Sequence, residues 1–337
     1  MAGRRYSERL GEITDEQLQA ALDRFGLGRL LAAEPIANGL FGQNLLLETS
    51  SGGFIFRGAP HWNPAGEDDW QFQKERFFSR LANQSPAAPL VAWPYLLEES
   101  RDIFGWGYAL QPRLPGGPVS QPMGENYSPD EQRVMARDLG AALGRLHDVK
   151  TPFAGTHDQR DDRLVPLAGS YADYVGSVIE GLLAYARQAS DATSEQDVAW
   201  ARSLVAAARP AMELEFAPCV VHLDFGFHNT LFEKSEGEWR LTGVIDWMTA
   251  ESGHPECDLA RPLATFEQYG IAGATEFLSA YRDIQPQLPR FRERMPVFVL
   301  WERLLIWSYW QHQPKNAFGG RGMRQWMERY VEMAASV

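Results

Sequence analysis

Three polar residues whose chemistry could work together follow strand-like segments in the second half of the chain. Asp224 and Asn229 lie five residues apart in VVHLDFGFHNTLF (220–232), and Asp246 lies near the end of the next strand pattern, WRLTGVIDW. Magnesium-dependent phosphoryl transfer needs such a set. One carboxylate orients or accepts the proton of the acceptor hydroxyl, while an amide oxygen and a second carboxylate hold the metal ions that bridge the nucleotide phosphates. We therefore predict Asp224 as the catalytic base and Asn229 and Asp246 as Mg²⁺ ligands.

The same three residues also have a purely structural interpretation. Taken singly, each of them commonly caps a turn or ends a strand. However, the spacing D-x-x-x-x-N followed by a strand-terminal Asp matches the catalytic loop and metal-binding Asp of kinases, and this favours the functional interpretation. After Asp246 there is no D-F-G and no long activation segment ending in A-P-E. A protein substrate would normally be docked by that activation segment. We therefore expect a small-molecule acceptor.

Two sequence blocks carry a resemblance to a known family. HLDFGFHNTLF (222–232) followed by GVIDWMTAESGHPECDLA (243–260) resembles the aminoglycoside phosphotransferase family of small-molecule kinases, which includes antibiotic phosphotransferases. The second block matches the family pattern at Gly243, Ile245, Asp246, Trp247, Ala250, Gly253, Pro255, Asp258, Leu259 and Ala260. The looser resemblance from about residue 30 to 312 implies an α+β, two-lobed protein-kinase-like fold with the nucleotide in the cleft.

The resemblance also implies roles for residues beside the catalytic loop. His222 is expected to orient the loop through hydrogen bonds, and Asp258 to anchor the catalytic segment. Leu223 stands where the family usually has glycine, and we expect this departure to alter packing rather than chemistry. Glu251 and Glu256 lie between the two acids and could reach an acceptor amine, although a solvated loop is the simpler interpretation.

The resemblance directs attention to the first third of the chain for nucleotide contacts. NGLFGQN (38–44), with Gly39 and Gly42, joins two strand patterns where a phosphate-covering loop belongs. Arg57 stands where kinases usually have lysine, so it keeps the positive charge but not the point-charge geometry. An acid on the following helix would orient Arg57; Glu75 is the first candidate and Asp69 the second. An ordinary surface salt bridge is the alternative.

The connection YALQPRLPGG (108–117) resembles the hinge between the two lobes of the family. Backbone groups near Gln111 and Arg113 are expected to meet the edge of the purine. Pro112 has no N–H, so a neighbour must donate that hydrogen bond. The sequence leaves ATP and GTP equally open as phosphoryl donors.

Hydrophobic periodicity and turn residues indicate where these motifs sit. A helix is predicted at 14–24, because Thr14 and Gln17 form a capping box. Short strands with a hairpin turn at 50–53 and a helix over 68–82 follow. From about residue 117 the pattern turns helical, with one β island at 218–246. We predict a small antiparallel β lobe over residues 1–112 that binds nucleotide and a larger α-rich lobe over residues 113–337 that carries catalysis and substrate binding.

Composition excludes several other classes of protein. The 337 residues carry 44 acidic and 32 basic side chains, a net charge of −12, which argues against a nucleic-acid partner. No segment approaches the roughly 20 apolar residues of a membrane helix, and the two cysteines are too few for a disulfide scaffold. We predict a cytoplasmic protein without a membrane partner, either monomer or homodimer. The acidic charge suits a cationic acceptor, or simply solubility.

The identity of the acceptor stays open at this level. The resemblance favours an antibiotic of the aminoglycoside type, inactivated by phosphorylation. A macrolide, a nucleoside antibiotic and a metabolite such as an amino alcohol are the alternatives. Aromatic residues of WERLLIWSYWQHQ (301–313) are expected to form core, with one or two edges reaching the pocket. The segments 59–71 and 155–171 are expected to flank the cleft, the first as a lid or a dimer contact. A catalytically silent nucleotide- or drug-binding module is the rival function, and an interaction scaffold finds no support in repeats or heptads.

Overall fold

The computed structural model describes residues 4–7, 10–36, 44–58, 70–85, 87, 90–310 and 318–337. The predicted phosphate loop with Gly39 and Gly42, most of the segment 59–71 (including Asp69) and the residues 311–313 therefore lie outside the described residues.

The first part of the chain forms a small antiparallel lobe. In chain order its elements are β1 (Arg4–Ser7), β2 (Gly11–Ile13), α1 (Asp15–Arg24), β3 (Leu30–Pro35), β4 (Asn44–Thr49), β5 (Gly52–Arg57), α2 (Trp70–Asn83), β6 (Leu96–Glu98) and β7 (Tyr108–Pro112). Five strands pair antiparallel in the order β3-β4-β5-β7-β6, and β1 pairs separately with β2.

Local chemistry accounts for the helices and turns of this lobe. Thr14 and Gln17 cap α1 reciprocally, each side chain bonding the other's backbone N–H, as the capping box predicted. Leu18 and Leu22 of α1 are fully buried against Leu45 and Phe56 of the sheet. The β4–β5 hairpin turns at Ser50–Ser51, within the predicted segment.

The rest of the chain is mainly helical. Its elements are β8 (Gly117–Pro118), α3 (Met123–Asn126), α4 (Pro129–Leu146), β9 (Gly155–Asp158), β10 (Arg163–Pro166), α5 (Tyr171–Ala189), α6 (Glu195–Met212), β11 (Cys219–Val221), β12 (Thr230–Ser235), β13 (Glu238–Val244), β14 (Glu251–Gly253), α7 (Ala260–Tyr269), α8 (Ala274–Arg282), α9 (Phe291–Trp310) and α10 (Met323–Ser336). Two small sheets run in the orders β13-β12-β8 and β10-β9-β14-β11.

Close helix packing builds the core of this larger lobe. Ser128 and Glu131 cap α4 reciprocally, with Pro129 at its first position. The helix packs against α8 at Gly140, where a Cβ atom would overlap the carbonyl oxygen of Phe277. Glycine at this position therefore permits the close approach of the two helices.

The predicted fold class is confirmed: the chain is α+β, with a small antiparallel β lobe and a larger α-rich lobe. The sequence patterns did not predict α7, α10 or the β9–β10 hairpin that fills the segment 155–171. The described helices include none that is both long and apolar enough to cross a membrane. Cys219 and Cys257 are free and buried.

Candidate active site

The carboxylate of Asp258 anchors the loop between β11 and β12. Asp258 accepts hydrogen bonds from two successive backbone N–H groups, that of His222 to Oδ2 and that of Leu223 to Oδ1, both at 2.6 Å. The imidazole of His147 at the end of α4 lies 3.2 Å from Oδ2, and its other nitrogen lies 2.9 Å from the hydroxyl of Tyr281. Asp258 therefore fixes the backbone at the point where the loop leaves the strand.

His222 ties the loop to the following strand. Its side chain is fully buried, and Nε2 lies 3.0 Å from the backbone oxygen of Ile245, so it donates this hydrogen bond. The hydroxyl of Thr249 donates to the His222 carbonyl at 2.7 Å, and the N–H of Ile245 donates to the Asn229 carbonyl at 3.0 Å. These bonds hold Asn229 and Asp246 on adjacent segments of backbone.

Leu223 occupies a left-handed backbone conformation, with φ of 61°. Glycine adopts this conformation at no steric cost, whereas a residue with a Cβ is strained by about 1 kcal/mol. The need for a positive φ gives a physical reason why glycine suits this position. Leu223 is half-buried against the hydrophobic core, so its side chain contributes packing.

Asp224 projects from the loop with 27% of its side chain exposed. Its Oδ1 atom lies 3.0 Å from Nε2 of His228 and 2.8 Å from Nη2 of Arg261, and its Oδ2 accepts from the Asn229 amide at 2.9 Å. Burial raises the pKa of Asp224, but the His228 hydrogen bond and the Arg261 charge outweigh it and hold that pKa well below its usual range. Asp224 is therefore ionised at neutral pH.

Asn229 and Asp246 present oxygen atoms that suit a magnesium ion. The Asn229 amide nitrogen donates to both the backbone and the side chain of Asp224, which leaves the amide oxygen as its metal-binding atom. Asp246 follows β13 in a left-handed conformation, and its Oδ1 atom is buried with no hydrogen-bond partner among the residues that the structure describes. A carboxylate oxygen without a hydrogen bond and an amide oxygen on the adjacent backbone segment are the kinds of ligand that Mg²⁺ takes. This ion usually takes only one or two carboxylates from the protein and the rest from phosphates and water.

A buried ion pair between Arg57 and Glu75 lies in the small lobe, across the lobe interface from Asp246. Nη1 of Arg57 on β5 lies 2.6 Å from Oε2 of Glu75 on α2, and the Tyr95 hydroxyl donates to the same oxygen at 2.9 Å. The side chains of Arg57 and Glu75 are 12% and 1% exposed, so this is not a surface salt bridge. Burial raises the pKa of Glu75, and the charge of Arg57 opposes the rise. Nη2 of Arg57 lies 3.9 Å from Oδ1 of Asp246, across the interface between the lobes.

The backbone N–H of Arg113, next to the expected purine contact, is already hydrogen-bonded. The backbone N–H of Arg113 donates to the Gly53 carbonyl at 3.0 Å, and its side chain pairs with Glu48 at 3.1 Å on the surface. Its N–H is therefore not free for a nucleotide. Gln111 pairs with Ile55 inside the sheet, and Leu114 carries the next backbone N–H along the chain.

Arg261 is a site residue that the sequence patterns did not indicate. It lies on α7, three residues after Asp258, and joins two carboxylates: Nη2 contacts Asp224, and Nη1 lies 3.0 Å from Oε1 of Glu302. Arg303 in turn binds both oxygens of Glu302. The resulting chain of alternating charge, Asp224–Arg261–Glu302–Arg303, leads from the loop into α9. The i, i+3 spacing from Asp258 is the one signal that could have pointed to Arg261.

Three further expectations about side chains meet different outcomes. Glu256 is buried and paired with Arg294 through two hydrogen bonds of 2.7 and 2.9 Å, so the solvated-loop interpretation is wrong for it. Glu251 accepts from the Tyr174 hydroxyl at 2.7 Å. His228, expected from the sequence to be a solvated loop residue, lies 3.0 Å from Asp224 through Nε2.

Comparison with known proteins shows the family to which the sequence is similar. The model of the phosphotransferase enzyme family matches residues 32–294. Homoserine kinase of Acidiphilium cryptum is 25% identical over 293 residues, covering 85% of this chain and 82% of that protein.

Solved structures extend the similarity to the whole fold. The ternary complex of a thermostable mutant of aminoglycoside phosphotransferase APH(4)-Ia with ADP and hygromycin B superposes with a TM-score of 0.62 at 16% identity, over 94% of this chain and 98% of that one. A Thermobifida fusca protein described as a fructosamine-3-kinase gives 0.63 at 15% identity, over 95% and 99%. These likenesses confirm the two-lobed protein-kinase-like fold.

Proposed function

Because the chain belongs to the phosphotransferase enzyme family, we propose that it transfers the γ-phosphoryl group of ATP or GTP to a hydroxyl group of a small molecule. One observation carries this proposal. Asp224, Asn229 and Asp246 converge on one loop-and-strand junction, and Arg57 of the other lobe lies 3.9 Å from Asp246. Such a cleft would offer a base, metal ligands and a phosphate-binding cation, the groups that phosphoryl transfer needs.

Asp224 would act on the acceptor hydroxyl. Its low pKa makes it a weak base at neutral pH, which suits this reaction because the transition state is loose and gains more from positioning than from proton abstraction. Hydrogen bonds from Asn229 and His228 fix the orientation of the carboxylate. In this role Asp224 holds the hydroxyl oxygen toward the phosphoryl group and takes its proton late in the transfer.

The remaining residues would position the nucleotide. The Asn229 amide oxygen and the Asp246 carboxylate would hold Mg²⁺, which neutralises charge on the phosphates when bound. Arg57, fixed by Glu75 and Tyr95, would pair with phosphate oxygens. His222 and Asp258 would keep the loop in place through the backbone hydrogen bonds described above. Gly39 and Gly42 would cover the phosphates, and Gln111 would flank the purine.

Two classes of acceptor are consistent with the proposal. An antibiotic of the aminoglycoside type, with resistance by inactivation, follows from the sequence resemblance and from the aminoglycoside phosphotransferases among the similar structures. An ordinary metabolite with a hydroxyl group follows from the similarity to homoserine kinase, which has the higher sequence identity. A macrolide or a nucleoside antibiotic belongs to the first class.

Mass spectrometry of acceptor mixtures tests the proposal directly. Purified protein, Mg²⁺ and either ATP or GTP are incubated with antibiotics, amino alcohols and hydroxy acids, with Asp224→Asn as the inactive control. We expect one compound to gain the mass of a phosphoryl group, and the variant to lose at least about 100-fold in rate while nucleotide still binds. Equal rates in both proteins would disprove the role of Asp224.

A catalytically silent binding module is the rival function. Such a protein would retain its ligand with unchanged mass and would protect only in proportion to its own amount. A single turnover experiment with protein in excess over acceptor, compared with one at hundredfold excess of acceptor, separates the two functions. Product in excess of the protein concentration supports the enzyme.

A further inference from the structure

A small pocket opens beside Asp224 on the side of the α-rich lobe. It lies between the catalytic loop, α7 and α9, and is lined by Leu223, Cys257, Asp258, Arg261, Phe298, Trp301, Glu302 and Leu305. Arg261 borders both the pocket and the proposed base, since its Nη2 lies 2.8 Å from Oδ1 of Asp224. Arg261 is therefore within reach of an acceptor whose hydroxyl approaches Asp224.

The carboxylates that line this pocket are already committed. Asp258 is bound by two backbone N–H groups and His147. Glu302 is bound at both oxygens, Oε1 by Arg261 and Arg303 and Oε2 by Arg303. An ammonium group of an acceptor would have to break one of these buried pairs, which costs several kcal/mol. The pocket thus offers little to a polycation, despite the net charge of −12 of the whole chain.

The hydrogen-bond donors of the pocket, in contrast, include unused groups. Nε of Arg261 and Nε1 of Trp301 are buried and have no hydrogen-bond partner in the part of the chain that the structure describes. Trp301 is only 5% exposed, so its indole N–H lies away from bulk solvent. Buried donors are nearly always paired, so these two N–H groups are available to a hydrogen-bond acceptor that enters the pocket.

We propose that the phosphoryl acceptor carries an anionic group, a carboxylate or a phosphate ester, close to its reactive hydroxyl, and that Arg261 binds this group with help from the Trp301 N–H. The inference rests on the proposed function and names the substrate class of the same site. Guanidinium has five donors in a fixed fork, so Arg261 can keep Asp224 and Glu302 while Nε turns to the anion. The 2.8 Å between Arg261 and Asp224 requires the two groups of the acceptor to be only a few bonds apart.

Matched pairs of acceptors test the charge requirement. Serine, homoserine and 4-hydroxybutanoate are each compared with their carboxamides, glycerol 3-phosphate with glycerol, and 3-aminopropan-1-ol and kanamycin represent cations. Phosphorylated product is measured with Mg²⁺ and ATP or GTP. We expect at least one anion to exceed its neutral partner about 100-fold in kcat/KM, because a buried donor left unpaired discriminates strongly. The carboxylate and phosphate arms separate the two anion sources.

Variants of Arg261 connect the requirement to this residue. Arg261→Gln should abolish the preference for the anion, and Arg261→Lys, which keeps the charge without the fork and leaves Glu302 paired, should lower kcat/KM for the anion about tenfold. Arg202→Gln is the matched control, because Arg202 pairs with Glu180 on an exposed surface. Melting curves establish that each variant is folded.

Each result decides between the two proposals. Selective phosphorylation of an anion that is lost in Arg261→Gln and weakened in Arg261→Lys supports the inference. Transfer to neutral or cationic compounds at rates equal to the anions, or an equal loss for all acceptors in both variants, overturns the inference and leaves the proposed function intact. Transfer to no compound of any class overturns both.

Discussion

At the scale of single residues, the contacts of its two carboxylate oxygens determine the charge and the orientation of Asp224. Oδ1 faces the cations or potential cations Arg261 and His228, and Oδ2 faces the Asn229 amide. These contacts stabilise the charged form more than burial opposes it, so the pKa of Asp224 falls well below its usual range. The site therefore holds a permanently ionised carboxylate in a fixed orientation.

A pH dependence of stability follows from this low pKa. A carboxyl group whose pKa is lower in the folded protein stabilises the fold above its unfolded value, about 3.9, and loses that contribution as pH falls toward the folded value. We expect wild type to exceed Asp224→Asn by about 1–2 kcal/mol in free energy of unfolding above pH 5. The difference should shrink below pH 4. Denaturant unfolding from pH 3 to 8 measures it, and the exposed Asp191→Asn serves as control.

A difference between wild type and Asp224→Asn that stays constant down to pH 3 would contradict the low pKa. A variant more stable than wild type at pH 7 would show that the carboxylate is held against its electrostatic preference.

Leu223 gives a second prediction for a single residue. Replacement by glycine removes a half-buried side chain but relieves the strain of φ at 61°. We expect Leu223→Gly to change the free energy of unfolding by less than about 1 kcal/mol, whereas Leu143→Ala in the core should cost about 3 kcal/mol. Urea unfolding of the two variants measures both. A cost for Leu223→Gly near that of Leu143→Ala would mean that packing dominates over strain.

At the scale of elements, a buried ion pair joins β5 to α2. Arg57 and Glu75 are shielded from solvent, and each has an atom, Nε and Oε1, with no hydrogen-bond partner within the described chain. A buried pair of this kind contributes little net stability but is costly to break from one side, because the remaining charge is left without compensation. Its value lies in fixing the direction of Arg57.

A double-mutant cycle tests this coupling. Arg57→Met alone should lose about 3–5 kcal/mol of stability, and the double variant Arg57→Met/Glu75→Leu should recover most of that loss. Arg202→Met, on an exposed pair, should cost under 1 kcal/mol, about the worth of a surface ion pair. Thermal and urea unfolding give the values. Purely additive effects of the two substitutions would contradict a coupled pair.

At the scale of the whole molecule, the two lobes meet where the proposed site lies. Arg57 faces Asp246 across this interface, Gln71 of α2 donates to the sulfur of Met248 at 3.1 Å, and Val91 bridges to Val244. A ligand bound between the lobes would therefore contact both of them. At this point Oδ1 of Asp246 makes no hydrogen bond to any residue that the structure describes.

Nucleotide and metal should therefore stabilise the protein together. At nucleotide concentrations about 100 times Kd the gain is about 2.7 kcal/mol, and chelation of Mg²⁺ with EDTA should remove most of it. Asp246→Asn should still bind nucleotide weakly but lose the part of the stabilisation that depends on Mg²⁺. Melting curves with ATP, with and without Mg²⁺, measure both. An equal effect of Mg²⁺ in wild type and Asp246→Asn would refute the metal role of Asp246.

The sequence by itself determined the chain-local parts of this protein. The spacing of Asp224, Asn229 and Asp246 predicted that these residues lie close together, because they belong to one short loop and one strand end. The backbone hydrogen bond from Ile245 to Asn229 joins the two segments. The sequence also predicted the capped N-termini of α1 and α4, because a capping box involves residues only three apart. Hydrophobic periodicity predicted a β-rich part followed by an α-rich part, because the period of a strand or a helix is visible within a few residues.

Only the tertiary structure decided which distant charges meet. Arg261, Trp301 and Glu302 come together from α7 and α9, and the pairing of Glu256 with Arg294 spans 38 residues. The sequence predicted that Arg113 lies in the hinge, but only the register of the sheet shows that its N–H donates to the Gly53 carbonyl. An ionic side chain can pair with many partners of opposite charge along the chain. Packing angles between helices select one, and no local pattern encodes that selection.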